Sequence, residues 1–234
     1  MQRLLQEIET ISTVRFFGKV SCVVGSLIEA TGLHKHASVG SLCEVYPKTG
    51  SNAPPLLAEV VGFRGDTLLL MPYAMLEGIG SGCRIDFVSP QPFLFPHTRW
   101  LGRVLNGLGN PIDGKGQLQR GMLSYKTRAA PVPAHLRSLI KNRLDLGVRS
   151  LDTFLTCCQG QRMGIFAGSG VGKSVLLSQI ARFTQAEVVV IGLIGERGRE
   201  VREFIDEHLG EEGMRKCVVV VATSDEPAPM RRQA

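Results

Sequence analysis

No apolar run in this 234-residue sequence is long enough to cross a bilayer. The longest, 188–195 (VVVIGLIG) and 218–222 (VVVVA), fall far short of the roughly 20 residues a spanning helix needs. The opening stretch does not read as a secretory leader either. The opening MQRLLQEIETIST carries two glutamates and no uninterrupted apolar core, which points to a cytoplasmic protein. Cysteine is present but never at metal-binding spacing. The six residues, at 22, 43, 83, 157, 158 and 217, include no C-x-x-C pair and no histidine at zinc-finger distance. They read as free thiols in apolar surroundings. Aromatic residues make up only 6%. Phe16, Phe17, Tyr46, Phe63 and Tyr73 are scattered, with no accompanying basic stripe. A barrel that stacks the bases of a single strand needs both features, so no nucleic-acid partner is expected. Internal repeats and low-complexity segments are absent too.

What remains is an ordinary globular composition, 44% hydrophobic and 21% charged, with ample length for a buried core. Charge is unevenly placed. Residues 1–95 hold 7 Lys and Arg against 8 Asp and Glu, whereas residues 96–234 hold 20 against 13. A basic region of this kind suits nucleic acid, acidic lipid or an acidic protein equally, and decides nothing alone.

The texture of the chain changes twice. Residues 1–16 suggest a short helical segment, with Leu4, Leu5, Ile8 and Ile11 at helical spacing. Residues 17–95 alternate short β-rich runs such as GKVSCVVGSLIEATG and LLAEVVGFRGDTLLLMP with Gly, Pro and Ser turns. Turn signals at that interval predict a small all-β barrel domain. Pro90, Pro92 and Pro96 mark a boundary near residue 95. Residues 99–135 read as an irregular approach rich in fixed turns. Strand–helix alternation then predicts strands at 160–167, 186–194 and 217–222, with helices at 173–184 and 199–209. That rhythm implies an α/β core built on a parallel sheet.

The segment 163–174, MGIFAGSGVGKS, carries the chemistry. A phosphate cradle needs inward-turned backbone N–H groups, hence glycines, and a helix N-terminus immediately behind. Ala167, Gly168, Ser169, Gly170, Val171, Gly172, Lys173, Ser174 and Val175 form the candidate cradle. Lys173 would reach the β- and γ-phosphates, and the Ser174 hydroxyl would bind Mg²⁺. Ala167 stands where the strict G-x-x-x-x-G-K-[ST] pattern has glycine, a place alanine can fill at negative φ. Glu196 follows the second predicted strand, and ligands in open parallel sheets lie beyond the strand C-termini. Its carboxylate could orient the attacking water, or could pair with Arg197 or Arg199, or cap the next helix. Asp225 sits past Thr223 and Ser224 in a Pro-rich turn and reads as a loop residue.

Five ordered segments now carry a resemblance: GRVLNGLGNPIDGKG at 102–116, RAAPVPAHLR at 128–137, LDLGVRSLD at 144–152, GQRMGIFAGSGVGKS at 160–174 and GLIGERGREVREF at 192–204. The chain resembles the hexameric ATPases related to rotary ATP synthase subunits. Within them, GERGREVREF followed by VVVVATSDEPAPMRRQA looks like the type III protein-export ATPases, and FAGSGVGKS looks like their flagellar branch. The resemblance implies a RecA-like P-loop NTPase core preceded by the barrel, covering residues 96–234 only in part. It implies ATP and Mg²⁺ as cofactors, with Lys173 and Glu196 catalytic, Ser174 on the metal and Arg197 in a matched but less defined place. It also implies a homohexamer, a stator-like regulatory partner at the N-terminal helix, a coiled-coil stalk protein, export substrates with chaperones, and a membrane export gate. The setting would be the inner face of the cytoplasmic membrane. Such chains continue past residue 234, into a second Mg²⁺-site aspartate, an arginine finger and a helical domain. The expectation is therefore a C-terminally truncated chain with apolar sheet surface uncovered and little hydrolysis of its own. A rotary ATP synthase subunit and a non-hydrolysing ring subunit are the alternatives.

Overall fold

The computed structural model describes residues 15–48, 50–51, 53–168 and 170–234. Two compact units are found, one running to Phe93 and taking in Pro227–Pro229, the other comprising Leu94–Glu226 and Met230–Ala234.

The first unit is a closed barrel of six antiparallel strands: β1 (Phe17–Val24), β2 (Leu27–Thr31), β3 (Leu42–Val45), β4 (Leu56–Arg64), β5 (Thr67–Pro72) and β6 (Arg84–Ser89). Around the wall their order is β1-β2-β5-β4-β3-β6. Strict alternation builds it. In β5, Leu68, Leu70 and Pro72 point inward while Thr67, Leu69 and Met71 are only partly covered. Side chains alternate faces along a strand, so one set fills the interior. Val20, Ile28, Ala30, Leu33, Val45, Val60, Leu68, Leu70 and Ile85 are all essentially solvent-free. Register shifts between Val20 and Cys22, Leu42 and Cys43, and Val60 and Gly62 bend the strands, as closing so small a barrel requires. Residues 1–14 lie outside the described residues, so the helix expected there is not described. Arg15 and Phe16 are not helical, and the Phe16 carbonyl accepts from the Phe87 N–H at 2.9 Å.

The second unit centres on a three-stranded parallel sheet of β7 (Val104–Asn106), β8 (Val189–Ile194) and β9 (Cys217–Ala222), with β9 in the middle. One face packs under α2 (Lys173–Phe183), α3 (Gly198–Glu203) and the wider π-type turn Phe204–Leu209 that continues α3. That core joins Ala181, Leu193, Val201, Phe204, Leu209, Cys217, Val219 and Val221. The six-residue α1 (Arg149–Phe154) precedes it in sequence and α4 (Gly210–Met214) links the π-type turn to β9, and Cys157–Cys158 pairs with Arg143–Leu144 in a short antiparallel ladder.

Two expectations need correction. Residues 160–167 form no strand and are mostly exposed, with Phe166 97% accessible. No described strand runs beside them, and a strand without a hydrogen-bonding neighbour gains nothing over hydration. The third strand comes instead from β7, inside the segment read as irregular. Three residues are too few for a periodic signal, and long-range pairing supplies what the pattern cannot. Val219 N–H donates to the Arg103 carbonyl at 3.1 Å, and Gly102 N–H to the Cys217 carbonyl at 2.8 Å.

Candidate functional site

Helix α2 begins abruptly. Gly170 (φ 75°) and Gly172 (φ 91°) adopt the left-handed conformation that only glycine takes without strain. Among the described residues no non-glycine has positive φ, so Ala167 is in ordinary backbone space. The first helical bond runs from Leu176 N–H to the Gly172 carbonyl at 2.9 Å. No side chain caps the helix start, so the N–H groups of the first turn remain available to an anion. Nothing lies within 4 Å of where a Cβ would stand on Gly168, Gly170 or Gly172. Open space, free donors and left-handed glycines together fit a phosphate chain. Ser169 lies outside the described residues.

Lys173 and Ser174 occupy the first turn and line a cavity of about 440 Å³ together with Glu196 and Glu200. Its apolar wall includes Met163, Ile165, Leu177, Leu193 and Phe204. Glu196 follows the end of β8. Gly195 N–H donates to the Ala222 carbonyl at 2.7 Å, and the Glu196 carbonyl accepts from Ser224 N–H at 2.9 Å. The sheet thus presents this carboxylate toward the helix start, and Lys173 Nζ stands 3.9 Å from Glu196 Oε1. Both side chains are about 40% accessible, at 42% and 40%, so the pair is wet and contributes little to stability. It is open to a ligand.

The structure therefore brings Lys173, Ser174 and Glu196 to one cavity. Val171 and Val175 are exposed. Arg197 is exposed at the N-cap of α3 and does not line the cavity. Glu200 was not among the sequence candidates. Its signal was its place as the acidic residue in the first turn of the helix that follows Glu196. Asp225 lies in the turn after β9, its carboxyl pKa lowered by a hydrogen bond from Thr223.

A profile of the ATP synthase alpha/beta family, nucleotide-binding domain, matches residues 147–234. A flagellum-specific ATP synthase of Caulobacter vibrioides is 52% identical over 234 residues, all of this chain and 52% of that protein. The chain is homologous to the type III export ATPases. A second relative, the flagellum-specific ATP synthase of Bacillus subtilis, is 44% identical over 233 residues and is likewise covered to 52%. Among solved structures, the assembled ATPase EscN in complex with its central stalk EscO, from the enteropathogenic E. coli type III secretion system, is similar. It superposes with a TM-score of 0.82 at 36% identity, over 92% of this chain and 51% of that one. The chain spans about half the length of the curated relatives it matches. The stretch similar to that nucleotide-binding domain includes Gly168, Lys173, Ser174 and Glu196.

Proposed function

We propose that the intact protein carrying this sequence hydrolyses ATP to power export of flagellar proteins through a type III apparatus. The observation that carries the reading is Lys173 Nζ and Glu196 Oε1 3.9 Å apart at an uncapped helix start behind two left-handed glycines. Bound ATP supplies the electrophilic phosphorus, and Mg²⁺ neutralises charge on its phosphate oxygens. The loop N–H groups of 168–173 and the Lys173 ammonium hold the phosphates. The Ser174 hydroxyl offers the hard oxygen that Mg²⁺ prefers. Glu196 accepts a hydrogen bond from the attacking water and orients it, and Arg197 at the α3 start adds positive charge nearby. The relatives' names support the flagellar setting, and the EscN–EscO assembly supports a ring that engages a stalk. A homohexamer at the cytoplasmic face of the membrane, with a stator-like partner, chaperoned substrates and an export gate, completes the reading.

Two substitutions in the intact protein test it. Glu196→Gln should keep the affinity for a fluorescent ATP analogue within about threefold and lower hydrolysis by about 10²-fold or more, the usual loss of a group that activates water. Lys173→Ala should weaken binding about tenfold or more, as removal of a charge-assisted contact does. Cells carrying Glu196→Gln should lose swimming and flagellin secretion. Wild-type hydrolysis by Glu196→Gln would overturn the assignment, and absence of hydrolysis in the wild type would favour a nucleotide-holding subunit.

A further inference from the structure

Lys173 and Glu196 are carried on different mounts. Glu196 hangs from the parallel sheet through the Gly195–Ala222 and Ser224–Glu196 backbone bonds. Lys173 rides on α2, an 11-residue helix about 16 Å long at 1.5 Å per residue. Its leading end is not held by sheet pairing, because the segment before it forms no strand. Its trailing end is held from several directions. The Thr184 hydroxyl donates to the Asp145 carbonyl at 3.0 Å. Gln185 N–H donates to the same carbonyl at 3.0 Å, and the Gln185 amide reaches Asp145 Oδ2 at 3.3 Å. Lys216, just before β9, donates to the Thr184 carbonyl at 2.7 Å. Behind them Gly147 presses on the last helical residue. A Cβ there would stand 2.5 Å from the Phe183 carbonyl oxygen, at a φ of 74° that no side chain favours. The turn itself is fixed by Leu146 N–H donating to Asp152 Oδ1 at 2.8 Å.

We infer that the Asp145–Gly147 turn, bonded to Thr184, is a positioning stop that sets how far along its axis α2 presents Lys173 toward Glu196. This deepens the proposed function and rests on it. A rigid helix transmits an axial displacement from one end to the other. The glycine loop and Lys173 travel with the helix start, so the phosphate cradle moves as a unit and keeps its affinity. The geometry between that cradle and the sheet-mounted carboxylate changes. Misplacement by about 1 Å at a distance from the chemistry costs on the order of 10²-fold in rate. The signature of the stop is therefore a fall in kcat per binding-competent site at unchanged Kd, which general loss of folded protein, lowering the number of sites alone, does not produce.

The experiment compares Thr184→Val, Thr184→Ser and Gly147→Ala in the intact protein. Affinity and stoichiometry for a fluorescent ADP analogue come from equilibrium titration, and kcat and KM are expressed per binding-competent site. Thr184→Val, isosteric without the hydroxyl, should keep Kd within about threefold and lower kcat about tenfold, a fraction of the full misplacement loss. Thr184→Ser, which restores the hydroxyl, should recover kcat. Gly147→Ala should lower kcat further at similar Kd, and if it fails to fold the Thr184 pair still decides. Wild-type kcat per site in Thr184→Val, or failure of Thr184→Ser to recover it, overturns the stop. A wild type that binds but does not hydrolyse overturns the underlying reading instead, so the two failures are distinct.

Discussion

Asp113 shows how much one residue organises in the second unit. Arg103 donates to both its oxygens, at 2.6 and 2.9 Å, and the backbone N–H groups of Val104 and Lys115 donate at 3.0 Å each. These bonds, the Arg103 guanidinium first, hold the Asp113 carboxyl well below the usual carboxylate range although burial opposes them. The hairpin after β7 is thereby pinned to the sheet edge. A depressed folded pKa stabilises above the unfolded value, near 3.8, and the contribution fades as pH falls from there through the folded value. Melting of this unit, followed by circular dichroism, should therefore fall as pH drops below about 4. Asp113→Asn should melt lower at neutral pH and show a flatter acid response. An unchanged acid slope would assign the dependence to other carboxylates. In the barrel, burial pushes the Cys43 thiol up to about 12, so Cys43 should resist a thiol reagent that labels exposed Cys22 in the native state.

Among elements, β5 contributes most visibly to the barrel. Leu68 and Leu70 are fully buried and lie between β2 and β4 in the wall. Leu70→Ala should cost about 2–5 kcal/mol, the lost transfer energy plus the cavity it leaves. Urea unfolding measures this, and a cost below about 1 kcal/mol would mean that the wall collapses into the gap. Helix α2 depends less on its own sequence. Eleven residues are marginal as an isolated helix, and buried Ala181 with the Thr184 bonds supplies what propensity does not.

At the scale of the whole molecule, the parallel sheet is closely covered on one side and only in part on the other, where Leu105 is buried but Val218 and Val220 are half-buried. Val219 is 0% accessible on the helix side, whereas Val190 on the other is 69% accessible. Continuous apolar strands such as VVVVA normally belong to sheets buried on both faces, so this face is apolar beyond what a solvated surface needs. The 234-residue chain alone should bind a hydrophobic dye such as ANS at this face. Val190→Lys should lower that fluorescence while leaving barrel melting unchanged, and undiminished fluorescence would place the dye elsewhere.

The barrel and the glycine loop were legible in the sequence because each is local. Period-two alternation needs only neighbouring residues, and Gly170, Gly172, Lys173 and Ser174 act within one turn. Strand β9 could be read at its observed limits, since an apolar β-branched run has few alternatives. Strand β7 could not, for its neighbour in the sheet lies more than a hundred positions away, and its local pairing is a single isolated bridge from Leu105 to Pro111. Residues 160–167 misled for the converse reason: an apolar run states a preference, and hydrogen-bond pairing decides whether a strand forms. The approach of Lys173 to Glu196, the arrival of Glu200 at the same cavity and the hold of Asp145 on Thr184 belong to tertiary structure alone. Sequence determined which groups this protein possesses and how each short segment tends to fold. Packing of α2 and α3 on one face of the sheet decided which of those groups meet.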